Sequence, residues 1–302
     1  TKSLVPYFNF SADLGTKFQF FDPTKPIKSQ LHLELKSNVQ LWRNWNLYGA
    51  YAFNIKNNSY YSSQFKPLWG QKGVFTSIPV IGKTPRLIGL NKYLRTFNTT
   101  CRDYKFATKI DLNIIRSLVG EDLKKIKNFN HLLRIATNGT TLSISFRKRT
   151  TTKDSVIGFI KKYKRRDFKN KNLFYKKLLK FMSEINYSEN EIILLRDDEI
   201  TEGAVTNLVF VKRDKIYIPK TGYYHGNTLK LIEEISKSKF IKRKISLEDL
   251  KEYSEILSIG SGRGITSIKK IQSILWKRAS TKYFQKLKKN YETMIKRNYH
   301  EI

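Results

Sequence analysis

Between Glu191 and Phe210 the chain reads EIILLRDDEITEGAVTNLVF, and this stretch limits the fold more than any other. Ile192 to Leu195 is a short apolar run that ends at the polar turn Asp197-Asp198-Glu199, and a second apolar run follows from Val205 to Val211. Two such runs flanking a polar turn predict strand, turn, strand. Glu202 falls between the strands, beside Gly203 and ahead of Thr206 and Asn207. A carboxylate at a strand edge beside a glycine is placed to meet a ligand rather than to fill a core.

A chain of 302 residues can bury a sizeable core and form two domains. Apolar content of 40%, with 17 Tyr and 19 Phe, excludes a disordered chain. The charge is unusual: 58 Lys and Arg against 25 Asp and Glu, a net +33. An ordinary soluble enzyme gains nothing from such a field, and self-repulsion destabilises it. A polyanionic partner removes that cost. A lysine-biased genome would explain many Lys but not few acids. One cysteine, Cys101, excludes an intramolecular disulfide and a cysteine-built metal site, and the four histidines have no metal-ligand spacing, so no metal is expected. No apolar run reaches transmembrane length. The start at Thr1 reads as a processed N-terminus, as after removal of a targeting peptide.

The central run carries E-G-x-x-x-N at Glu202, Gly203 and Asn207, and here the chain resembles the class IV pyridoxal-phosphate enzymes. That family includes D-amino-acid aminotransferase, branched-chain aminotransferase and aminodeoxychorismate lyase. Further runs follow the family's order. Gly70 to Ile78 is similar to its G-D-G-V-F-E-T-I strand entry, with one extra residue. It departs at Thr76, where the family has an acid, and at Pro67, where it has an aromatic. Lys92 to Thr100 is similar to H-L-x-R-L-x-x-S, with Lys92 in place of His. Gly226 to Leu229 stands where the family has G-I-T-R or G-C-T-A at a helix start. Ile245 to Leu250, capped at Ser246, is similar to I-x-x-x-E-L. Ser261-Gly262-Arg263-Gly264 stands where the family has G-T-A, G-S-T or N-S-x-R-G.

The resemblance, over roughly residues 39–275, implies an α/β fold of two domains with basic extensions. The expected division is an N-terminal extension over 1–37, a small domain over 38–147 and a linker over 148–158. A larger domain over 159–280 and a basic C-terminal helix over 281–302 complete it. It also implies roles. Glu202 would face the pyridine nitrogen of pyridoxal phosphate. Arg95 would grip its phosphate, a task suited to a guanidinium fork. Asn227, Thr228, Ser261 and Gly262 would complete the phosphate site at a helix N-terminus. Lys169, which opens K-N-K-N-L-F-Y and stands 33 positions before Glu202, would be the nucleophilic lysine, with Lys162 a poorer fit. Lys169 and Glu202 are expected to face one cleft.

Two functions from different classes remain open. In one the fold serves as a basic structural subunit of a ribonucleoprotein, a mitochondrial ribosome in the matrix, with the enzyme site vestigial and the cofactor retained or lost. In the other the chain is an active pyridoxal-phosphate aminotransferase or lyase, acting as a homodimer. The first draws on the charge and on the departures at Pro67, Thr76 and Lys92; the second on Lys169 and Glu202. With no base-reading motif, contacts with a large folded RNA would run along its backbone. They are assigned to Lys161, Lys162, Lys164, Arg165 and Arg166, and to the N-terminal extension. Lys277, Arg278, Lys282, Lys286, Lys288, Lys289, Lys296 and Arg297 are assigned the same role. Tyr283, Phe284, Leu287, Tyr291, Met294 and Ile295 fall on one helical face and are expected to pack against protein.

Overall fold

The computed structural model describes residues 37–38, 46–56, 59–63, 68–124, 126, 128–236 and 238–301, with backbone alone for 37–38, 46–56, 59–63 and 121–124. The N-terminal extension, Trp42, Trp45 and Pro67 lie outside these residues. The chain forms two compact units: one is residues 1–149 with 171–176 and 299–302, the other residues 150–170 with 177–298. The division thus falls at Arg149, and the expected linker already contains the start of a strand at Ser155. Residues 171–176 and 299–302 rejoin the first unit by strand pairing and turns that no local pattern announces.

Among the described residues, the first unit is an antiparallel sheet with two helices. Its strands are β1 (Ser37–Asn38), β2 (Asn46–Lys56), β3 (Ser59–Ser63), β4 (Val74–Gly82), β5 (Arg86–Ile88), β6 (Phe129–Thr137), β7 (Thr141–Lys148) and the C-terminal β16 (Tyr299–Glu301). The order is β1-β2-β7-β6-β4-β5-β16, with β3 on β2. The β6–β7 hairpin turns at Asn138-Gly139, where Gly139 has φ 98° and the Asn138 side chain accepts from the amides of Thr140 and Thr141. Such a turn suits the Asn-Gly pair, since glycine enters the left-handed region without steric cost. Helix α1 (Leu90–Asp103) buries Leu90, Tyr93, Leu94, Phe97 and Cys101 on one stripe, the spacing of an amphipathic helix. Helix α2 (Leu112–Lys124) follows it.

One polar group inside this unit stands out. Arg134 on β6 is paired in register with Ser77 on β4 and Ser145 on β7, and its guanidinium lies 4.6 Å from the ring centre of Trp69. Burial pushes it down to about 10, and the indole face partly replaces lost water by a cation–π contact.

The second unit is a mixed sheet: β8 (Ser155–Lys162), β9 (Asn190–Arg196), β10 (Glu199–Gly203), β11 (Asn207–Lys212), β12 (Lys215–Pro219), β13 (Phe240–Arg243), β14 (Glu255–Gly260) and β15 (Gly264–Ile271). Their order is β10-β9-β8-β15-β14-β11-β12-β13. Strand β8 runs parallel to both β9 and β15, and buried runs such as Ile192 to Leu195 suit a strand covered on both faces. Helices α3 (Lys176–Ser183), α4 (Asn227–Ser236) and α5 (Lys282–Arg297) complete the element set, with a 3₁₀ turn at Glu248–Glu252. The core gathers Val156, Ile193, Leu208, Phe210, Ile256 and Ile268.

Two expectations change. Glu202 is not in a turn between two strands but inside β10, which pairs with β9 before a short turn at 204–206 leads into β11. The basic tail is not one helix to residue 302: α5 ends at Arg297, and β16 pairs with β5, tied by Arg86 to Glu301 at 3.0 Å. On α5, Phe284, Leu287, Tyr291 and Met294 are buried, as the helical stripe requires; Tyr283 and Ile295 are half-buried at its margins.

Candidate active site

The site in the second unit is built on β10. The backbone of β10 bends at Gly203, where an added Cβ would come within 2.0 Å of Thr206 Oγ1, so no side chain fits. Glu202, one residue earlier, is 3% exposed. Arg165 NH1 donates to both of its oxygens, at 3.0 Å to Oε1 and 3.1 Å to Oε2. The Tyr224 amide donates to Oε2 at 3.1 Å. Three charge-assisted contacts replace the water that the carboxylate loses on burial.

Arg165 is reached from the end of β8. The Tyr163 amide extends the β8–β9 pairing by donating to Leu195 O, and two residues later the chain turns Arg165 inward. Its NH2 donates to Asn170 O at 3.3 Å. Asp167, at φ 47°, accepts from the Asn170 amide through its carbonyl and from the Asn170 side chain through its carboxylate, which closes the 167–170 turn. Lys169 sits in that turn, exposed, with no hydrogen bond or ion pair among the described residues.

Asn207 organises the opposite wall. Its Nδ2 donates to Tyr224 O at 2.5 Å, and its Oδ1 accepts from the Gly226 amide at 3.0 Å. A Cβ at Gly226 would fall 2.6 Å from that Oδ1, so the approach requires glycine. The loop thereby delivers the Tyr224 amide to Glu202 and starts α4 at Asn227. Both Asn227 and Thr228 are buried in its first turn. Thr228 Oγ1 lies 3.1 Å from Ser261 Oγ, in the turn between β14 and β15 that also holds Gly262. Beneath this turn Arg263 donates to Tyr187 O at 2.9 Å and Asn190 O at 2.8 Å, and its Nε lies 3.3 Å from Glu191 Oε2. Glu191 also accepts from the hydroxyls of Thr206 and Ser258.

The family of class IV amino-transferases matches residues 73–271, about two thirds of the chain. The chain belongs to this family. No curated protein matches it. Among solved structures, this class IV chain is similar to the branched-chain aminotransferase from Thermoproteus uzoniensis, with TM-score 0.65 and 15% identity over 81% of this chain and 94% of that one. It is also similar to a putative 4-amino-4-deoxychorismate lyase from Legionella pneumophila, with TM-score 0.64 and 13% identity over 76% and 97%. A hypothetical aminotransferase from Mycobacterium tuberculosis in a PLP-bound form gives TM-score 0.64 and 13% identity over 81% and 98%. At these identities the likeness is one of fold.

Of the residues picked from the sequence, the structure brings Thr228 and Ser261 together, with Asn227 and Gly262 beside them in the same two turns. It places Glu202 and Lys169 in one unit, joined through Arg165 and Asn170. Arg95 stands exposed on α1 in the first unit. One assignment is corrected. Arg165, read as an RNA contact, is 6% exposed and turned onto Glu202, so it offers no surface to a phosphate backbone. Among the other basic residues, Lys161 pairs with Glu184, Lys282 with Asp214 and Lys288 with Asp154, and Arg278 donates to Ser155 Oγ. Lys162, Lys164, Arg166, Lys277, Lys286, Lys289, Lys296 and Arg297 are exposed.

Proposed function

We propose that the chain is a pyridoxal-phosphate enzyme of the class IV type, acting on an amino group. The observation that supports this most is the buried Glu202, gripped by Arg165 and the Tyr224 amide. A buried ion pair is a poor way to stabilise a fold, because desolvation offsets most of the attraction. Its retention in a family whose carboxylate at this place faces a ring nitrogen points to a ligand. The donor set fits the cofactor: a buried carboxylate for the ring, two hydroxyls 3.1 Å apart and first-turn helix amides for a phosphate, and an exposed lysine next to Asn170, the far anchor of the Glu202 clamp. Thr228, Ser261, Asn227 and Gly262 would hold the phosphate, Glu202 the ring nitrogen, and Lys169 the carbonyl carbon. When bound, the cofactor supplies an electron sink beside the carbon that bears the amine. Lys169 is the group here able to take and return a proton, and the Asn207-clamped loop fixes Glu202 in orientation. For this form we propose a homodimer, on the resemblance alone.

The test is direct. Pyridoxal phosphate added to the full chain should give the absorbance of a protein-linked cofactor. Borohydride followed by peptide mass analysis should place it on Lys169. A label on Lys162, or none, overturns the assignment.

A second reading is favoured by the charge. The exposed lysines and arginines beyond β8 and along α5, in a chain of net +33, suit a structural subunit of an RNA–protein assembly. We take a mitochondrial ribosome in the matrix as its setting. Thr76 and Lys92, where the family carries an acid and a histidine, are consistent with a site whose activity has lapsed.

A further inference from the structure

Glu191, near the start of β9, has no exposure and reaches both ends of the proposed cofactor site. Its Oε2 accepts from Thr206 Oγ1 at 3.0 Å, in the turn that follows Glu202 and Gly203. The same oxygen lies 3.3 Å from Arg263 Nε, in the turn that carries Ser261 and Gly262, and accepts from the Ser258 hydroxyl on β14. The Ile192 amide holds Oε1 at 3.0 Å, which fixes the carboxylate in orientation. A Cβ on Gly203 would come within 3.1 Å of Oε1, so the carboxylate packs against the strand end that carries Glu202. Arg263 is itself fixed: Nη2 donates to the Tyr187 and Asn190 carbonyls, and the guanidinium lies 4.0 Å from the Tyr187 ring centre. A charge taken wholly out of water needs partners to replace its hydration. Glu191 draws those partners from two turns that are far apart in sequence.

We infer that Glu191 is a positioning residue that couples the ring end of the site to its phosphate end. Through Thr206 it sets the turn behind Glu202. Through Arg263 it sets the turn that brings Ser261 to Thr228. It acts through these neighbours and not on the ligand. This rests on the proposed cofactor site and adds one property to it: a single buried group fixes the spacing between the carboxylate for the ring and the hydroxyls for the phosphate. Such spacing matters because a site held about 1 Å too loosely loses its preorganisation.

The experiment reads the two ends separately on the full chain. Pyridoxine, which has the ring without phosphate or aldehyde, and inorganic phosphate each compete with pyridoxal 5′-phosphate in an absorbance titration. T206V keeps the shape of the side chain and removes its hydroxyl. It should weaken pyridoxine by up to about tenfold, the order of one hydrogen bond, and leave phosphate unchanged. R263K keeps the charge and loses the paired donors, so it should weaken phosphate and leave pyridoxine unchanged. E191Q should weaken both. A purely structural role would lower the affinity for both ligands together in T206V and R263K, in step with their stability in denaturant. That result overturns the inference, and so does an E191Q protein that binds both ligands as the wild type does. If E191Q does not fold, the opposite selectivities of T206V and R263K decide alone. A wild type that takes up no pyridoxal phosphate overturns the proposed site. A wild type that takes it up, with no split between the two variants, overturns this inference only.

Discussion

Arg263 Nε lies 3.3 Å from Glu191 Oε2, and neither side chain has any exposure. The pair joins the turn after β14, which carries Ser261 and Gly262, to the start of β9. Burial opposes the Arg263 cation, but Tyr187 and Glu191 outweigh it and hold its pKa above the ordinary value. Removing one partner leaves the other charge buried alone, a loss of about 3–5 kcal/mol. Arg263→Met and Glu191→Gln should each lower stability by that order in denaturant unfolding. The double variant should lose clearly less than the two single losses added together. Additive losses would mean that the two residues act independently.

Asn207 is the residue to change if the loop over Glu202 is to be loosened without touching charge. Its amide holds Tyr224 O and the Gly226 amide at once. Asn207→Ala loses both contacts and adds no charge. Outer-shell partners of metal ligands typically alter affinity by about 10–100-fold, and the same order is expected for this clamp. Asn207→Ala should weaken pyridoxal phosphate binding by about that factor in an absorbance titration. Unchanged affinity in Asn207→Ala would show that the loop does not depend on this clamp.

What the residues disclose in advance follows from how local each signal is. Glu202 and Asn207 are legible because a six-residue pattern carries them, and the Asn138-Gly139 hairpin because its turn chemistry is local. The α5 stripe is legible because its period is helical. Arg165 is hidden: in a run where half the residues are basic, no pattern distinguishes the one that turns inward. Strand β10 is hidden because Glu-Ile-Thr-Glu-Gly has no apolar run, and only its pairing with β9 makes it a strand. Strand β16 is three residues long and pairs with β5 more than 200 positions away, as His300 with Leu87. Long-range pairing also makes Arg134 a half-buried residue stacked on Trp69 rather than a solvated charge.

His131 on β6 gives a pH dependence. It is 4% exposed and stacks on Phe146 with ring centres 4.6 Å apart. Burial, then the charge of Lys148, pushes its imidazole down to about 4 from 6.5. Its folded pKa is therefore depressed, so the unfolded chain takes up a proton first. The contribution to stability is complete above pH 6.5 and is lost as pH falls from there towards 4, in total about 3 kcal/mol. His131→Phe should flatten this part of the curve. Denaturant unfolding at pH 7.5 and pH 4.5 should give a difference smaller by about 2–3 kcal/mol in the variant. Equal differences in both proteins would remove His131 from the account.

Helix α5 offers the test of an RNA partner. Its buried stripe docks the helix, and Lys282 and Lys288 are spent on Asp214 and Asp154. Lys286, Lys289, Lys296 and Arg297 remain exposed, along with Lys277 just before the helix. If these residues neutralise RNA phosphates, each contact releases counterions, and log affinity falls with log salt by roughly 0.7–0.9 per contact. Changing Lys286, Lys289, Lys296 and Arg297 to Gln should lower that slope by about 3 for a large folded RNA, with the melting temperature unchanged. In the native setting the chain should stay with a large RNA–protein particle until salt is high, and truncation after Ser280 should release it earlier. Truncation also removes the buried stripe and β16, so the Gln variant, which keeps both, is the decisive one. A chain that runs free of any particle at physiological salt and binds RNA with no salt slope would exclude the ribonucleoprotein reading and leave the enzyme.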